Sequence, residues 1–357
     1  MHRAILPLIV FCLIPLAADA GRLWKVDSGG SGDVLTIEAG LDSAAAGDTV
    51  EIECGTYYEH GLVMKDSVWL VSRMYSQECV TIDAQGQGRV LLCDGVSSDT
   101  WIVGLTFVGG NASGSGEAGS GGGIACINGS YPHISSVSFH NNSADHMGGG
   151  LYCGNVSAPS LMFCYFRENE AGYGGGAIGC NYYSPATMGR TEFIGNTTLG
   201  DGGGVLCEEM SNFYISRSSF VSNSAAGHGG GLCASVNSDP TLVRCIVAFS
   251  PDGEGVYAND AGSDVSLSCC DIYGNVDGDW VGSVAGQEGV DGNFAADPLF
   301  CDMASFFLFI EDCSPCADGY HPDGYDCGGY IGAAAPGCGC GEATEPATWG
   351  GVKALYR

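Results

Sequence analysis

Asp201 and His228 stand 27 residues apart, and the same interval separates Arg190 from Arg217 and Arg217 from Arg244. A carboxylate beside an imidazole does acid–base work, and three guanidiniums in a row grip an acidic polysaccharide through bidentate contacts. Either chemistry requires residue i to lie beside residue i+27. The interval recurs in Phe139, Phe166, Phe193 and Phe220, and in Asn142, Asn169, Asn196 and Asn223. It recurs again in Cys126, Cys153, Cys180 and Cys207, with Cys233 following after 26. Three residue types on one period define a repeat.

A 27-residue unit carrying Gly-Gly-Gly, a proline (Pro132, Pro159) and short alternating stretches has no room for two helices, and it shows no 3.6-residue pattern. Short strands joined by turns satisfy it. Stacked as coils, they place residue i about 4.8 Å from residue i+27, the ordinary strand spacing. Phe then stacks on Phe inside, Asn passes amide hydrogen bonds to Asn at a corner, and glycine supplies positive φ where the chain turns. The predicted fold is all-β: a single-stranded right-handed parallel β-helix of nine or ten coils over residues 48–296. A short amphipathic helix within 36–44 belongs to an N-terminal cap, 21–47. A cysteine-rich C-terminal cap covers 297–341, and 342–357 reads as linker and tail.

The opening MHRAILPLIVFCLIPLAADA has a charged start, a short apolar core and a small-residue end, so it reads as a signal peptide cleaved near Ala20. No later stretch is apolar and long enough to span a bilayer. The expectation is a secreted or outer-surface monomer with no transmembrane segment. A formal charge of −29 excludes nucleic acid as a partner. Of 19 cysteines, all but Cys12 follow the leader, so disulfides are expected. Cys301, Cys313, Cys316, Cys327, Cys338 and Cys340 read as staples of the C-terminal cap, and Cys245 with Cys270 as a pair in a neighbouring column. The five-member cysteine column reads either as a thiol ladder or as carrying one or two bridges.

Arg190, Arg217 and Arg244 each precede an inward position (Phe193, Phe220, Val247) by three residues, which turns them outward. Three stacked like charges repel unless something anionic compensates. Glu192, read as outward, offers local pairing; an acidic polysaccharide or cell-surface glycan is the other candidate. Asp201 and His228, with Glu208 nearby, form a catalytic candidate whose alternative reading is a surface ion pair. Asn275-Val276-Asp277-Gly278-Asp279 alternates oxygen ligands as calcium sites do, but lacks the closing glutamate and flanking helices of an EF-hand. Calcium on Asp277 and Asp279 is the one cofactor the sequence suggests.

The glycine triplets before Ile124, Leu151, Ala177 and Val205, each followed by Phe-x-x-Asn, resemble the Gly-Gly-Ala-(Ile/Leu/Val) … Phe-x-x-Asn repeats of polymorphic outer-membrane proteins. TIEAGLDSAAAGDTVEIECGTYYE resembles the opening segment of pectin-lyase-like right-handed β-helix proteins. DPLFCD with SPCADGYHPDGYDCGGYIGA is similar to a module closing secreted bacterial β-helix proteins, and TWGGVKALYR to short tails on exported ones. The resemblance implies the fold; that fold hosts lyases, esterases, hydrolases and adhesins alike. The Asp-Phe-Ile-Phe-Gly of pectin methylesterases and the Arg-x-Pro-x-x-Arg of pectate lyases are absent. Of the polygalacturonase motifs only Gly227-His228-Gly229 occurs, inside a glycine triplet. The leading expectation is a non-catalytic β-helix protein acting by adhesion or glycan binding. The alternative is a polysaccharide lyase or glycoside hydrolase acting on uronate-type polymers.

Overall fold

The computed structural model describes residues 21–303 and 308–341. The signal peptide read over 1–20 and the tail read over 342–357 lie outside them. The chain winds as a right-handed parallel β-helix, and every pairing within its long sheets is parallel. Sheet 1 stacks ten strands, from Leu23–Val26 to Ser266–Ser268. Sheet 2 stacks nine, from Gly55–Tyr57 to Asp271–Tyr273, and sheet 3 stacks eight, from Leu62–Val63 to Val256–Ala258. A short fourth sheet of five two-residue strands runs from Asn111–Ala112 to Ser224–Ala225.

The Phe-x-x-Asn repeat has a simple physical origin. Phe139, Phe166, Phe193 and Phe220 sit mid-strand in sheet 2, pointing inward, with successive ring centroids 4.4, 5.2 and 4.3 Å apart. Two residues later the backbone enters the left-handed region, at Asn141, Glu168, Gly195 and Ser222, which turns the chain and points the next side chain inward. That side chain is Asn. Asn142 donates to Asn169 at 3.0 Å, Asn169 to Asn196 at 2.9 Å and Asn196 to Asn223 at 2.9 Å. A second ladder, which the period alone did not single out, runs through Ser157, Ser184, Ser211 and Ser238 at the corner between sheets 3 and 1, each hydroxyl accepting the preceding coil's backbone N–H. Buried polar backbone is thus satisfied from coil to coil. In the glycine triplets the coils close up: a Cβ on Gly149 would sit 2.6 Å from the Gly176 carbonyl oxygen, so only glycine fits.

The cysteines depart from expectation. Cys93, Cys126, Cys153, Cys180 and Cys207 are in register in sheet 3, all buried thiols. Cys233 is not the fifth member; it pairs with Leu206, while Ala234 faces Cys207. Its 26-residue step is one short, and a one-residue slip sends a strand side chain to the opposite face. Cys245 and Cys270 share a turn column but are free thiols; Cys245 donates to Ile215 O and Cys270 to Leu242 O. Cys316 is a buried thiol as well, donating to Asp271. The disulfides are Cys301–Cys338, Cys313–Cys340, Cys269–Cys327 and Cys54–Cys79.

A helix at Ile37–Ser43 covers the first coil, burying Ile37 and Leu41. Thr36 caps it, and the Glu59 carboxylate accepts the Ile37 and Glu38 N–H groups at its positive end. At the far end Trp280 and Val284 pack on the last coil's core. The cysteine-rich segment lies along the outer face of sheet 2. There Ile194, Val221, Ile246 and Ala248 form an apolar strip that Phe294, Leu308, Ile310 and Ile331 cover. Upstream the same face carries Thr106, Ser138 and His140 and needs no such cover. Among the described residues no helix is long and apolar enough to cross a membrane.

Candidate functional site

The turn from sheet 1 to sheet 2 is a single left-handed residue, and Arg190, Arg217 and Arg244 occupy it in three successive coils (φ 51°, 46° and 55°). Their backbone N–H groups reach the next coil at Ser216 O, Val243 O and Ser268 O, so the three side chains rise as one column on the corner. Cys269 takes the same turn position in the following coil (φ 52°). Its bond to Cys327 ties down a loop that runs back over the arginines. Arg244 Nη1 donates to Gly328 O at 2.7 Å. The Tyr330 ring lies 5.7 Å from the Arg190 guanidinium and 5.8 Å from that of Arg217, within cation–π range. Arg217 is half-buried, and burial, with the charges of Arg244 and Arg190, holds its pKa below the usual value. The loop also forms one wall of a cavity of about 270 Å³ that includes Cys327, Gly329 and Ile331.

Among the described residues none of these arginines makes an ion pair; the four pairs are Lys65–Asp42, Arg73–Glu53, Arg167–Glu192 and His228–Glu254. Glu192 does leave from the outer face of sheet 2, but the expectation that it neutralises the stripe is corrected. Glu192 is 3% exposed beneath the cysteine-rich segment, 3.4 Å from Arg167 Nη2 and accepting the Leu308 N–H. It lies on the strand past the turn, so its side chain leaves from sheet 2's face and not from the corner.

Asp201 and His228 are neighbours, but not as a carboxylate–imidazole pair. Asp201 Oδ1 accepts the His228 backbone N–H at 2.8 Å, and its Oδ2 accepts Asn259 Nδ2 at 2.8 Å. The imidazole stacks on Tyr257 and reaches Glu254 at 3.2 Å. Glu208 accepts from the Tyr173 hydroxyl at 3.0 Å; burial raises the Glu208 carboxyl and pushes the Tyr173 phenol up to about 12. Asp201 thus closes a turn, and the three groups share no reacting atom. Asp277 and Asp279 take different backbone donors. Asp277 accepts the Gly253 N–H, while Asp279 accepts the Gly274 and Asn275 N–H groups. Glu311 with Cys313 and Cys340 is the one metal-type grouping among the described residues, and both its sulfurs are in a disulfide.

One grouping went unread in the sequence. A cleft of about 220 Å³ on sheet 2 is lined by His140, Tyr165 and Arg167, with Gln77, Glu78, Thr106 and Ser138. Burial, with Arg167 beside it, brings His140 down to about 4, so its imidazole is neutral at neutral pH; burial also raises the Tyr165 phenol. His140 and Arg167 are partners in adjacent strands. The 27-residue period links them, but a column of unlike residues carries no visible signature.

These features define a right-handed parallel β-helix, with an arginine column at the corner between sheets 1 and 2 and a cleft on sheet 2. Residues 136–154 match the Chlamydia polymorphic membrane protein (Chlamydia_PMP) repeat. That repeat and the disulfides fit an extracellular or surface protein. A search of curated proteins returned no significant match. Among solved structures, pectate lyase Pel9A superposes with a TM-score of 0.52 at 11% identity, covering 89% of this chain and 97% of that one. A mutant of the PL6-family alginate lyase AlyGC gives 0.35 at 13% identity over 77% of this chain and 49% of the other. The first of these likenesses shows the fold and nothing finer.

Proposed function

We propose that this chain is an exported β-helix protein that binds acidic glycans through Arg190, Arg217 and Arg244 without making or breaking bonds. One observation carries the reading: three guanidiniums rise coil upon coil, without a carboxylate partner among the described residues, on a chain of formal charge −29. Such a column is costly unless an anion completes it, and a polyanion with regularly spaced carboxylates fits its regular rise. Titration calorimetry with polygalacturonate and alginate tests it. The triple change of Arg190, Arg217 and Arg244 to Gln weakens binding by a factor of about ten or more, equivalent to ~1.4 kcal/mol or above. Equal affinity in the correctly folded variant rejects the site.

The cleft supports a second reading, a lyase acting on the same polymers. A neutral imidazole at His140 beside Arg167 joins a proton acceptor to a carboxylate-neutralising cation. Appearance of ultraviolet-absorbing unsaturated uronate ends, lost in His140→Ala, would establish it.

A further inference from the structure

The corner that carries the arginines is a track with one closed end. Its turn residues, one per coil, run Ser136, Phe163, Arg190, Arg217, Arg244 and Cys269, each with φ between 46° and 55°. Each backbone N–H reaches the next coil, Ser136 to Met162 O and Phe163 to Gly189 O at one end, Cys269 to Asp291 O at the other, so the residues lie in one line. Past Arg244 the line is sealed. Cys269 is 5% exposed and bonded to Cys327, and the Gly328 carbonyl accepts Arg244 Nη1 at 2.7 Å. On the sheet 2 side Tyr330 walls Arg190 and Arg217, and its neighbour Ile331 packs on that face. The sheet 1 side is open, with Met162 and Tyr214 43% and 47% exposed. The three arginines, Phe163 and Ser136 are all half-buried, so each keeps part of its surface in solvent.

A line of this make-up reads both charge and length. Glu192 and Asp326, the acids two residues from Arg190 and from Gly328, do not complete it: Glu192 lies 3.4 Å from Arg167, and Asp326 accepts the Gly328 N–H at 2.8 Å. A polyanion laid along the corner, one unit per coil at about 4.8 Å, meets a cation at three successive units. At Cys269 it can go no further. In the other direction it meets Phe163, whose ring lies 5.6 Å from the Arg190 guanidinium, and then the Ser136 hydroxyl, neither of which selects charge. We infer that this column, on the reading that it binds acidic glycans, holds the end of a uronate chain and not its interior. The terminal unit sits at Arg244, the next two at Arg217 and Arg190, and a fourth stacks on Phe163.

Calorimetry with galacturonate oligomers of one to six units, and with polygalacturonate, reads this out. Affinity should climb about tenfold or more from monomer to trimer (~1.4 kcal/mol), gain a smaller factor at the tetramer, and stay level to the hexamer. Polygalacturonate should take up one protein per chain whatever the chain's length. Phe163→Asn puts at the turn a residue that accepts left-handed backbone; it should remove the tetramer's gain and leave trimer affinity as it is. Affinity that keeps rising past the tetramer, or several proteins on one polymer chain, overturns the inference and leaves the glycan reading standing. So does a tetramer gain that survives Phe163→Asn. Binding of neither oligomers nor polymer rejects the glycan reading itself, and the inference with it.

Discussion

Arg167 Nη2 and Glu192 Oε2 lie 3.4 Å apart, both side chains at least nine-tenths buried, yet Glu192 holds its proton up to about pH 7. Burial outweighs the help of the Leu308 N–H and of Arg167. Asp271, also beneath the cysteine-rich segment, is pushed up to about 8 by the same cause. Each acid binds its proton more tightly folded than unfolded. The stability they contribute is therefore complete at low pH. It is lost as pH rises from 4.5 to about 7 for Glu192 and from 3.8 to about 8 for Asp271, by at most about 1.4 kcal/mol per pH unit per group. Denaturant melts of parent and of Glu192→Gln with Asp271→Asn across this range should show the parent's slope flattened in the variant; parallel slopes would refute the assignment.

The Cys269–Cys327 bond closes a 58-residue separation and holds Tyr330 over Arg190 and Arg217. In the chain-entropy account its removal costs about 4 kcal/mol. Changing both cysteines to Ser should lower the melting temperature and expose the guanidiniums. If Tyr330 competes with an acidic glycan, affinity for polygalacturonate rises in this variant, and Tyr330→Ala raises it without the stability loss. A fall in affinity with Tyr330→Ala would instead make the tyrosine part of the binding surface.

Ten of the described cysteines are thiols, and all ten are buried. The hydrogen bond with Cys93, and then burial, raises Cys126 well above the ordinary thiol; burial raises Cys180 and Cys245 likewise and pushes Cys164 up to about 12, so these four form no thiolate to react. Iodoacetamide should leave these ten cysteines of the folded protein unmodified and label all ten after denaturation without reductant. Labelling of fewer than ten would reveal further bridges in the ladder.

The sequence displayed what repeats and concealed what does not. Phe139 to Phe220 and Asn142 to Asn223 were legible because a solenoid stacks like on like, so one period named the fold and its two main ladders. Arg190, Arg217 and Arg244 were legible as a column for the same reason. The partners of Glu192 and Asp201 were misread because they were assigned by nearness in the sequence: Glu192 lies on the face of sheet 2 and meets Arg167, not the corner arginines, and Asp201 met the backbone of His228, not its ring. Cys233 shows the price of ignoring a single missing residue. His140 with Arg167, and the flank on which the last segment packs, depend on faces brought together across unlike columns, which periodicity does not record.

Asp277 and Asp279 present their oxygens to the Gly253, Gly274 and Asn275 N–H groups. These donors already serve the two carboxylates, so chelation should leave the melting temperature unchanged. Asp279→Ala, which orphans the Gly274 N–H and the Asn275 donors, should lower stability by about 1–3 kcal/mol whether or not calcium is present. A calcium-dependent rise in melting temperature that vanishes in this variant would restore the metal reading.

The Asn ladder gives the sharpest stability test, because each rung serves two coils. Asn196 donates to Phe166 O and to Asn223, and its Oδ1 accepts from the Asn169 side chain and backbone. Asn196→Ala leaves the buried Asn169 N–H without its acceptor, takes the Asn196 donor from the Phe166 carbonyl and removes two ladder links, a loss of about 2–4 kcal/mol. Asn223 ends the run: Ser250 holds the next position and its N–H turns to Asn275 Oδ1. Asn223→Ala removes only one side-chain link of the ladder and should cost measurably less, and Asn196→Asp should fall between them, keeping the acceptor while losing the donor. Equal losses at Asn196 and Asn223 would mean that the amides act singly and that no cooperative ladder joins the coils.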